Sequence, residues 1–348
     1  MGAFTGEVVR KYAPPFWLPL SHCEAMSAQP EISLVALCDI NAQALAEARL
    51  RYKVDKVYDD FHDLIADVSP DVLGIATRTP ERTTIVEHAI SGGVRALHLE
   101  KPLCNGVTEL TKLERLFAES DVACTYGTLR RYFPVYDHAR QMAKSGRFGT
   151  LQQIEVCFGR AALLWTHPHS LDILLFMAGD AEVERVSARF LDGIAAKGAI
   201  LDGDPIVLSA LLEFSNGVTG IISQSGGFDV ILTCSDGSIT VESDGHFTRL
   251  RFGDGKDTYW RLTEQRNGLT IGGGQTSAGG TRFALDRLVS ALRAENPAQV
   301  LKDKYAILRG QRLMFACAQS HLADGKAVDP RHLDPNLRIT GRAGDRYA

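Results

Sequence analysis

The sequence lacks any pair of cysteines at the C-x-x-C spacing that zinc sites and thiol redox centres use. Its seven cysteines are scattered and odd in number. Several of them lie inside apolar runs, where cysteine is usually a small core residue. This pattern excludes a disulfide framework and gives no sign of a metal site. We therefore expect a reduced, cytoplasmic protein without a metal.

The sequence also lacks an excess of one charge, a long apolar run and a basic, apolar start. Its formal net charge of −4 argues against a general nucleic-acid binder. No run is long enough to span a bilayer, and the first residues do not read as a signal peptide. A length of 348 residues favours two domains, and 45% hydrophobic residues are ordinary for a soluble globular protein.

Short strand-like and helix-like segments alternate in the first part of the chain, from Ile32 to Gly146. This rhythm predicts a doubly wound parallel sheet with helices on both faces. After Gly149 the strand-like runs follow one another closely and are separated by hairpin-like turns, which predicts a large, mostly antiparallel sheet. The predicted fold is thus α/β plus α+β, with domains over 1–128 and 129–348.

Two further features complete the expected architecture. The segment from Gly272 to Gly280 is a glycine-rich loop that we interpret as a lid. Two helices follow it, the second over roughly Lys304 to Leu322, and they are able to pack back on the first domain.

The stretch Ala96–Leu99 predicts a buried strand that runs into Glu100, Lys101 and Pro102. Proline ends the strand because it has no N–H for the ladder. Lys101 therefore lies at the carboxyl end of a strand, where open α/β sheets bind ligands. Its ammonium could contact a substrate oxygen, and a surface ion pair is the alternative interpretation.

A second strand end carries Asp39, and Asn41 then caps a helix. Dinucleotide folds use an acid at this place to bind the adenosine ribose, although an ordinary neighbour of a helix cap would look the same. No arginine follows Asp39, which favours NAD over NADP, because a carboxylate repels a 2′-phosphate.

At this point the chain resembles the glucose–fructose oxidoreductase / inositol dehydrogenase / MocA-like family. The resemblance covers nearly the whole chain, and the order and spacing of the motifs carry it. The motifs are Val35-Ala36-Leu37-Cys38-Asp39, Glu100-Lys101-Pro102, Arg131-Tyr132-Phe133-Pro134 with Ser145-Gly146-Arg147-Phe148-Gly149, and His169-Ser170-Leu171-Asp172 with Gly179.

The resemblance implies hydride transfer between a nicotinamide and a carbon that bears a hydroxyl or carbonyl. His169 would take the hydroxyl proton, and Lys101 would stabilise the developing charge on the same oxygen. Candidate substrate-binding residues are Asp172, Trp165, His167 and Arg131. Candidate cofactor-binding residues are Gly2, Asp39, Ile40, Thr77, Thr79, Pro80, Glu100 and Lys101.

Several of these residues have alternative interpretations. His167 competes with His169 as the base, and either histidine could belong to the core or to a helix start. Asp172 lies one helical turn after His169, so it could orient the imidazole, contact the substrate or be a solvated charge. Arg131, with its neighbour Arg130, could bind an anionic group of the substrate, or both could be surface arginines.

Three departures from the family pattern matter. The family's first strand and its GxGxxG turn are missing, so that Gly2 would stand at the third glycine and the strand would lie upstream of Met1. A truncated chain and a genuine loss are both open. Trp165 stands where the family usually has an aspartate, and Thr84 stands where it often has a histidine. The indole could stack on a sugar or nicotinamide ring, or belong to the core.

The leading interpretation is an NAD-dependent dehydrogenase or reductase of a sugar, polyol or sugar derivative, with NADP as a possible cofactor. The alternative is a catalytically silent family member that binds a dinucleotide or sugar as a sensor. The expected partners are a small-molecule substrate and a second copy of the chain, as a homodimer or homotetramer, without nucleic acid or membrane.

Overall fold

The structure, a computed structural model, describes residues 2–4, 10–11, 15–253, 262–268, 279–294 and 297–341. Its α-helices are α1 (His22–Ala28), α2 (Ala42–Tyr52), α3 (Phe61–Val68), α4 (Thr79–Ser91), α5 (Val107–Ala118), α6 (Pro134–Lys144), α7 (His167–Met177), α8 (Arg282–Leu292) and α9 (Pro297–Leu322). Short 3-10 helices cover Pro15–Trp17, Leu129–Tyr132 and Ser243–Gly245.

Five parallel strands belong to the first part of the chain: β1 (Ala36–Cys38), β2 (Lys56–Tyr58), β3 (Val72–Ile75), β4 (Ala96–Leu99) and β5 (Ala123–Tyr126). Among the described residues they form two sheets, β1–β2 and β3–β4–β5. Ala3 and Phe4 pack beside Leu37 of β1, and Gly2 lies against Ala76 just after β3.

Local sequence accounts for these elements. All four residues of β4 and of β5 are buried, as expected for strands covered on both faces by helices. Asn41 and Asp60 cap α2 and α3 by accepting backbone N–H bonds from the first helical turn. Helix α5 buries Leu110, Leu113 and Phe117 at helical spacing against the sheet.

The second part of the chain contains a nine-stranded sheet of which one neighbouring pair, β6 and β12, is parallel. The expectation of a mostly antiparallel sheet is confirmed. Its strands are β6 (Leu151–Cys157), β7 (Ala161–Ala162), β8 (Val183–Phe190), β11 (Ile206–Phe214), β12 (Thr219–Ile222), β13 (Asp229–Cys234), β14 (Gly237–Glu242), β15 (Phe247–Gly253) and β16 (Leu262–Gly268).

A smaller sheet joins β9 (Ala195–Lys197), β10 (Ile200–Asp202) and the short β17 (Arg338–Ile339). The segment 337–341 also bonds to the loop that follows β4. The Val107 N–H donates to the Leu337 carbonyl, and the Ile339 N–H donates to the Asn105 carbonyl. This segment therefore ties the loop after β4 to β10.

The two closing helices pack on the first part of the chain. Helix α8 lies against β4 and β5, and α9 contacts β5 and α5 as well as β8 and α7. The Lys304 ammonium, fully buried on α9, donates to the carbonyls of Phe117 (2.8 Å) and Ser120 (2.7 Å) at the end of α5. One hydrophobic core consequently joins the three-stranded parallel sheet β3–β4–β5 to the nine-stranded sheet.

Several boundaries differ from the sequence predictions. The sequence favours a strand over the apolar run from Ile32 to Asp39 and a helix from His169, whereas the strand covers only Ala36–Cys38 and α7 begins at His167. The predicted lid lies outside the described residues over 272–278, so it stays a prediction. No helix in the described ranges is both long and apolar enough to cross a membrane.

Candidate functional site

The loop after β4 is held from two sides. The Arg82 guanidinium, buried on α4, donates to the carbonyls of Pro102 and Thr77. From α9, the Gln311 side chain accepts from the Leu103 N–H (2.8 Å) and donates to the Cys104 carbonyl (3.0 Å). The backbone that carries Lys101 is therefore fixed.

Lys101 reaches from this loop to the turn before α7. Its Nζ donates to the Trp165 carbonyl at 2.6 Å and lies 3.6 Å from the centroid of the Trp165 ring. Both side chains are partly exposed, and we call the surface that they share the cleft. Burial lowers the pKa of Lys101 to about 8, against the opposing charges of Glu100 and Asp204. The ammonium is thus close to its titration range at neutral pH.

His169 lies in the first turn of α7 and is partly exposed. Burial of the ring, and then the positive charges of Arg130 and Lys101, hold the pKa of His169 well below its usual value. The imidazole is therefore neutral at pH 7, and its Nδ1 has no hydrogen-bond partner. Lys101 bonds to the Trp165 carbonyl in the turn before α7, and His169 lies in the first turn of that helix, so the two predicted catalytic residues meet the same short segment.

His167 lies in the interior. Its side chain is fully buried, its Nδ1 is 3.0 Å from the Ser170 hydroxyl, and burial lowers its pKa to about 4. The structure thus places this predicted substrate-binding residue away from the surface of the cleft.

Arg131 and Asp172 form a buried ion pair. The Arg131 Nε lies 2.8 and 2.9 Å from the two Asp172 carboxylate oxygens, and both side chains are almost wholly inaccessible. Burial alone would lower the pKa of Arg131, but the Asp172 carboxylate outweighs this effect and raises it. Asp180 and Asp303 lie 3.8 Å from the same guanidinium. The charges of these two predicted substrate-binding residues are therefore satisfied within the protein.

The predicted cofactor residues lie at the carboxyl ends of the parallel strands. After β1, the Asp39 carboxylate is exposed and accepts the Asn41 N–H at 2.9 Å, and Ile40 is 92% exposed. After β3, Thr77 and Pro80 are exposed, while Thr79 is buried at the start of α4. An open carboxylate beside an open apolar side chain fits a ribose and an adenine ring.

Gly2 and Glu100 complete this predicted set. The Gly2 carbonyl accepts the Cys23 N–H at 3.1 Å, and a Cβ on Gly2 would lie 3.4 Å from the Ala76 side chain. Gly2 therefore lies between the two parallel sheets, near the start of α1. Glu100 accepts the Lys101 N–H at 3.1 Å and lies 3.4 Å from His22 Nε2, so it contacts both its own loop and α1.

Three residues near the site were not singled out from the sequence. Arg82 braces the loop after β4, His22 contacts Glu100, and the Asp204 carboxylate accepts the N–H groups of Leu164 (2.7 Å) and Trp165 (3.1 Å). No local motif marks them, because each acts through a segment that is distant in the chain. Within the described ranges, no group of three or more His, Cys, Asp or Glu side chains is placed to hold a metal ion.

Comparison with known proteins agrees with this geometry. Residues 18–128 match the family described as "Oxidoreductase family, NAD-binding Rossmann fold". Myo-inositol 2-dehydrogenase of Thermotoga maritima is 24% identical over 221 residues, which cover 59% of this chain and 64% of that protein. D-apiose dehydrogenase of Paraburkholderia graminis is 22% identical over 222 residues, which cover 59% of this chain and 57% of that protein. The matches thus span less than two thirds of either curated relative.

Solved structures share the fold. An oxidoreductase from Agrobacterium radiobacter, in complex with NAD+, L-tartaric acid and magnesium, aligns with a TM-score of 0.69 and 18% identity over 88% of this chain and 94% of that one. Levoglucosan dehydrogenase in complex with NADH and L-sorbose aligns with a TM-score of 0.70 and 16% identity, with the same coverage of both chains. The family match over residues 18–128 confirms the resemblance seen in the sequence for this part of the chain, and the solved structures show that the fold is shared over most of its length.

Proposed function

We propose that the protein is an NAD-dependent dehydrogenase or reductase of a sugar or polyol, and that Lys101 and His169 act on the reacting oxygen. One observation carries the proposal: the Lys101 ammonium bonds to the Trp165 carbonyl at 2.6 Å, in the turn that leads into the helix on which the neutral His169 lies. A neutral imidazole accepts a proton, and an ammonium stabilises an oxyanion.

The mechanism assigns one task to each side chain. A bound nicotinamide supplies the acceptor or donor of the hydride. In oxidation, His169 takes the hydroxyl proton as the hydride leaves the carbon, and Lys101 donates a hydrogen bond to the same oxygen. In reduction, Lys101 polarises the carbonyl oxygen, and the imidazole of His169 takes a proton from solvent and passes it to that oxygen.

Supporting observations narrow the substrate and cofactor. The half-exposed Trp165 ring offers a flat apolar surface beside Lys101, which suits the C–H face of a cyclic sugar or polyol. The exposed Asp39 carboxylate favours NAD, because it would repel the 2′-phosphate of NADP. The relatives that match by sequence are dehydrogenases of a polyol and a sugar, which supports the same class.

We assign the dinucleotide to residues 1–128 and the substrate chiefly to residues 129–348. Of the predicted substrate-binding residues, Trp165 contacts the substrate in this proposal, while His167, Arg131 and Asp172 support the cleft from within. The proposed assembly is a homodimer or homotetramer.

Calorimetry with NADH and with NADPH, followed by a turnover screen of sugars and polyols, tests the proposal. We expect micromolar binding of NADH, weaker binding of NADPH, and hydride transfer with at least one cyclic substrate. Binding without turnover of any sugar or polyol would support the alternative of a silent sensor. The absence of dinucleotide binding would contradict the enzyme assignment, and the absence of sugar binding as well would contradict the sensor.

A further inference from the structure

We propose that Asp204, on the loop between β10 and β11, is a positioning residue for Lys101. It fixes the peptide whose carbonyl and indole hold the lysine ammonium, and it provides a carboxylate beside that ammonium although residue 165 is a tryptophan. The inference rests on the proposed function, since it assigns a role at the same site.

Asp204 accepts two backbone hydrogen bonds from the turn before α7. One carboxylate oxygen, Oδ1, accepts the Leu164 N–H at 2.7 Å, and the other, Oδ2, accepts the Trp165 N–H at 3.1 Å. Hydrogen bonds to a carboxylate are stronger than those to a neutral acceptor. Because both oxygens are used on consecutive N–H groups, the position and the tilt of the peptide are set together.

The same turn also contacts Lys101. The Trp165 carbonyl accepts a hydrogen bond from Lys101 Nζ at 2.6 Å, and the ring lies under the ammonium with its centroid at 3.6 Å. An indole at this distance attracts a cation through its ring quadrupole. Lys101 is therefore held by the peptide oxygen and the side chain of the residue whose N–H bonds to Asp204.

Asp204 is itself firmly placed. The neighbouring Pro205 carbonyl accepts the Leu163 N–H at 2.8 Å, which extends the same contact by one residue. On the other side the segment 337–341 packs closely, and a Cβ on Gly341 would lie 2.4 Å from the Asp204 backbone nitrogen. A carboxylate on this backbone can impose its geometry on the turn.

The charges around Lys101 give Asp204 a second effect. Burial lowers the pKa of Lys101, the carboxylates of Glu100 and Asp204 raise it, and Arg82 on α4 lowers it. His169, in the first turn of α7, is neutral. Removal of the Asp204 charge should therefore lower the pKa of Lys101 further below its value of about 8.

The test measures the pKa of Lys101 directly. The rate at which Lys101 reacts with a small amine-specific acylating reagent is followed against pH, with the modified peptide resolved by mass spectrometry. Asp204→Asn removes the charge and leaves an amide N–H facing one of the two backbone N–H donors. We expect its Lys101 midpoint to fall by about half a unit or more. We also expect kcat to fall about tenfold, while the KM for the dinucleotide stays unchanged.

Asp202→Asn is the matched control. Asp202 ends β10 two positions before Asp204, is exposed, and accepts a hydrogen bond from the Thr340 hydroxyl at 2.7 Å rather than from the turn before α7. Its Lys101 midpoint should equal that of the wild type. Asp204→Glu, which restores the charge, should return the midpoint towards the wild-type value. If Asp204→Asn does not fold, the smaller neutral variant Asp204→Ser takes its place with the same expected shift.

The outcomes separate this inference from the proposed function. A lowered midpoint in a protein that turns over no sugar or polyol would support the role of Asp204 and count against the enzyme assignment. A midpoint in Asp204→Asn equal to that of the Asp202→Asn control would overturn the inference, even in an active enzyme.

Discussion

Two pairs of ionisable residues, both singled out from the sequence, lie in different surroundings in the structure. Lys101 and His169 are partly exposed at the cleft, and the Lys101 ammonium contacts one carbonyl and one ring. Arg131 and Asp172 are buried, and the carboxylate binds the guanidinium through two contacts of 2.8 and 2.9 Å. The first pair can exchange its contacts for a ligand, whereas the second has no exposed surface to offer.

Helix α7 makes the contrast instructive, because it carries one residue of each pair. His169 and Asp172 are three residues apart, a spacing that allows both to lie on one face. In the structure, the imidazole of His169 is partly exposed at the cleft, whereas the carboxylate of Asp172 is buried against Arg131. Spacing on a helix therefore indicates which residues can meet, and burial with a partner decides which remain available for chemistry.

Replacement of Lys101 should give the largest effect on the cleft side of the comparison. In Lys101→Met we expect turnover to fall about 1000-fold, because the reacting oxygen loses its charged donor, while the melting temperature changes little. Steady-state kinetics and thermal unfolding measure the two quantities. The exposed Lys56, changed to Met, is the control. Turnover close to that of the wild type in Lys101→Met would remove Lys101 from the mechanism.

Asp172→Asn should affect mainly stability. It leaves the Arg131 guanidinium buried without its main partner, and we expect a loss of about 3 kcal/mol in the free energy of unfolding. Denaturant unfolding measures this loss. An exposed carboxylate that bonds to its own helix, Asp137, changed to Asn, should cost under about 0.5 kcal/mol. A stable Asp172→Asn protein with impaired substrate KM would instead assign Asp172 to substrate binding.

His169→Asn should lower the rate of alcohol oxidation about 100-fold, because the proton acceptor is lost. The low pKa of His169 keeps the imidazole neutral at pH 7, so the wild-type rate should fall only below the ordinary histidine value of 6.5. This acid limb should disappear from the pH profile of the variant. The exposed His138, changed to Asn, should leave the profile unaltered. An acid limb that persists in His169→Asn would move the base to another residue.

Arg82→Met should give an intermediate result, because Arg82 is buried like Arg131 but donates to the backbone beside Lys101. We expect a loss of about 2 kcal/mol in stability, from two carbonyls left without a charged donor. We also expect a tenfold drop in kcat, roughly, as the loop after β4 shifts. Unfolding and kinetics on the same sample test both, and Arg95→Met, on an exposed arginine, is the control. A loss of stability without a change in kcat would show that Arg82, like the buried pair Arg131 and Asp172, has only a structural role.

Much of the fold could be predicted because its signals are local. The buried run Ala96–Leu99, the cap Asn41 and the closely spaced strands after Gly149 each depend on a few neighbouring residues. The small sheet of β9, β10 and β17 was missed; its β10–β17 pairing joins residues more than 130 positions apart, which no local signal reveals. Short strands of this kind depend on tertiary contacts rather than on periodicity.

The site shows the same division. Lys101 could be placed because a proline ends its strand, and the order of the motifs pointed to His169. The buried state of His167 and the partnership of Arg131 with Asp172 depend on packing, which residue type and spacing do not reveal. Asp204 could not have been found from the sequence, since nothing near it distinguishes it from the exposed Asp202.

The segment 337–341 has a mechanical consequence. On one side it bonds to Asn105 and Val107, a few residues after Lys101; on the other, the Thr340 N–H donates to the Leu201 carbonyl, shortly before Asp204. It therefore links the loop after β4 to the end of β10 by backbone hydrogen bonds. A hinge motion that separated these two segments would have to break the bonds, or else both segments would move together as one rigid body. The separation of Lys101 and Asp204 should thus stay nearly constant while other parts of the molecule move.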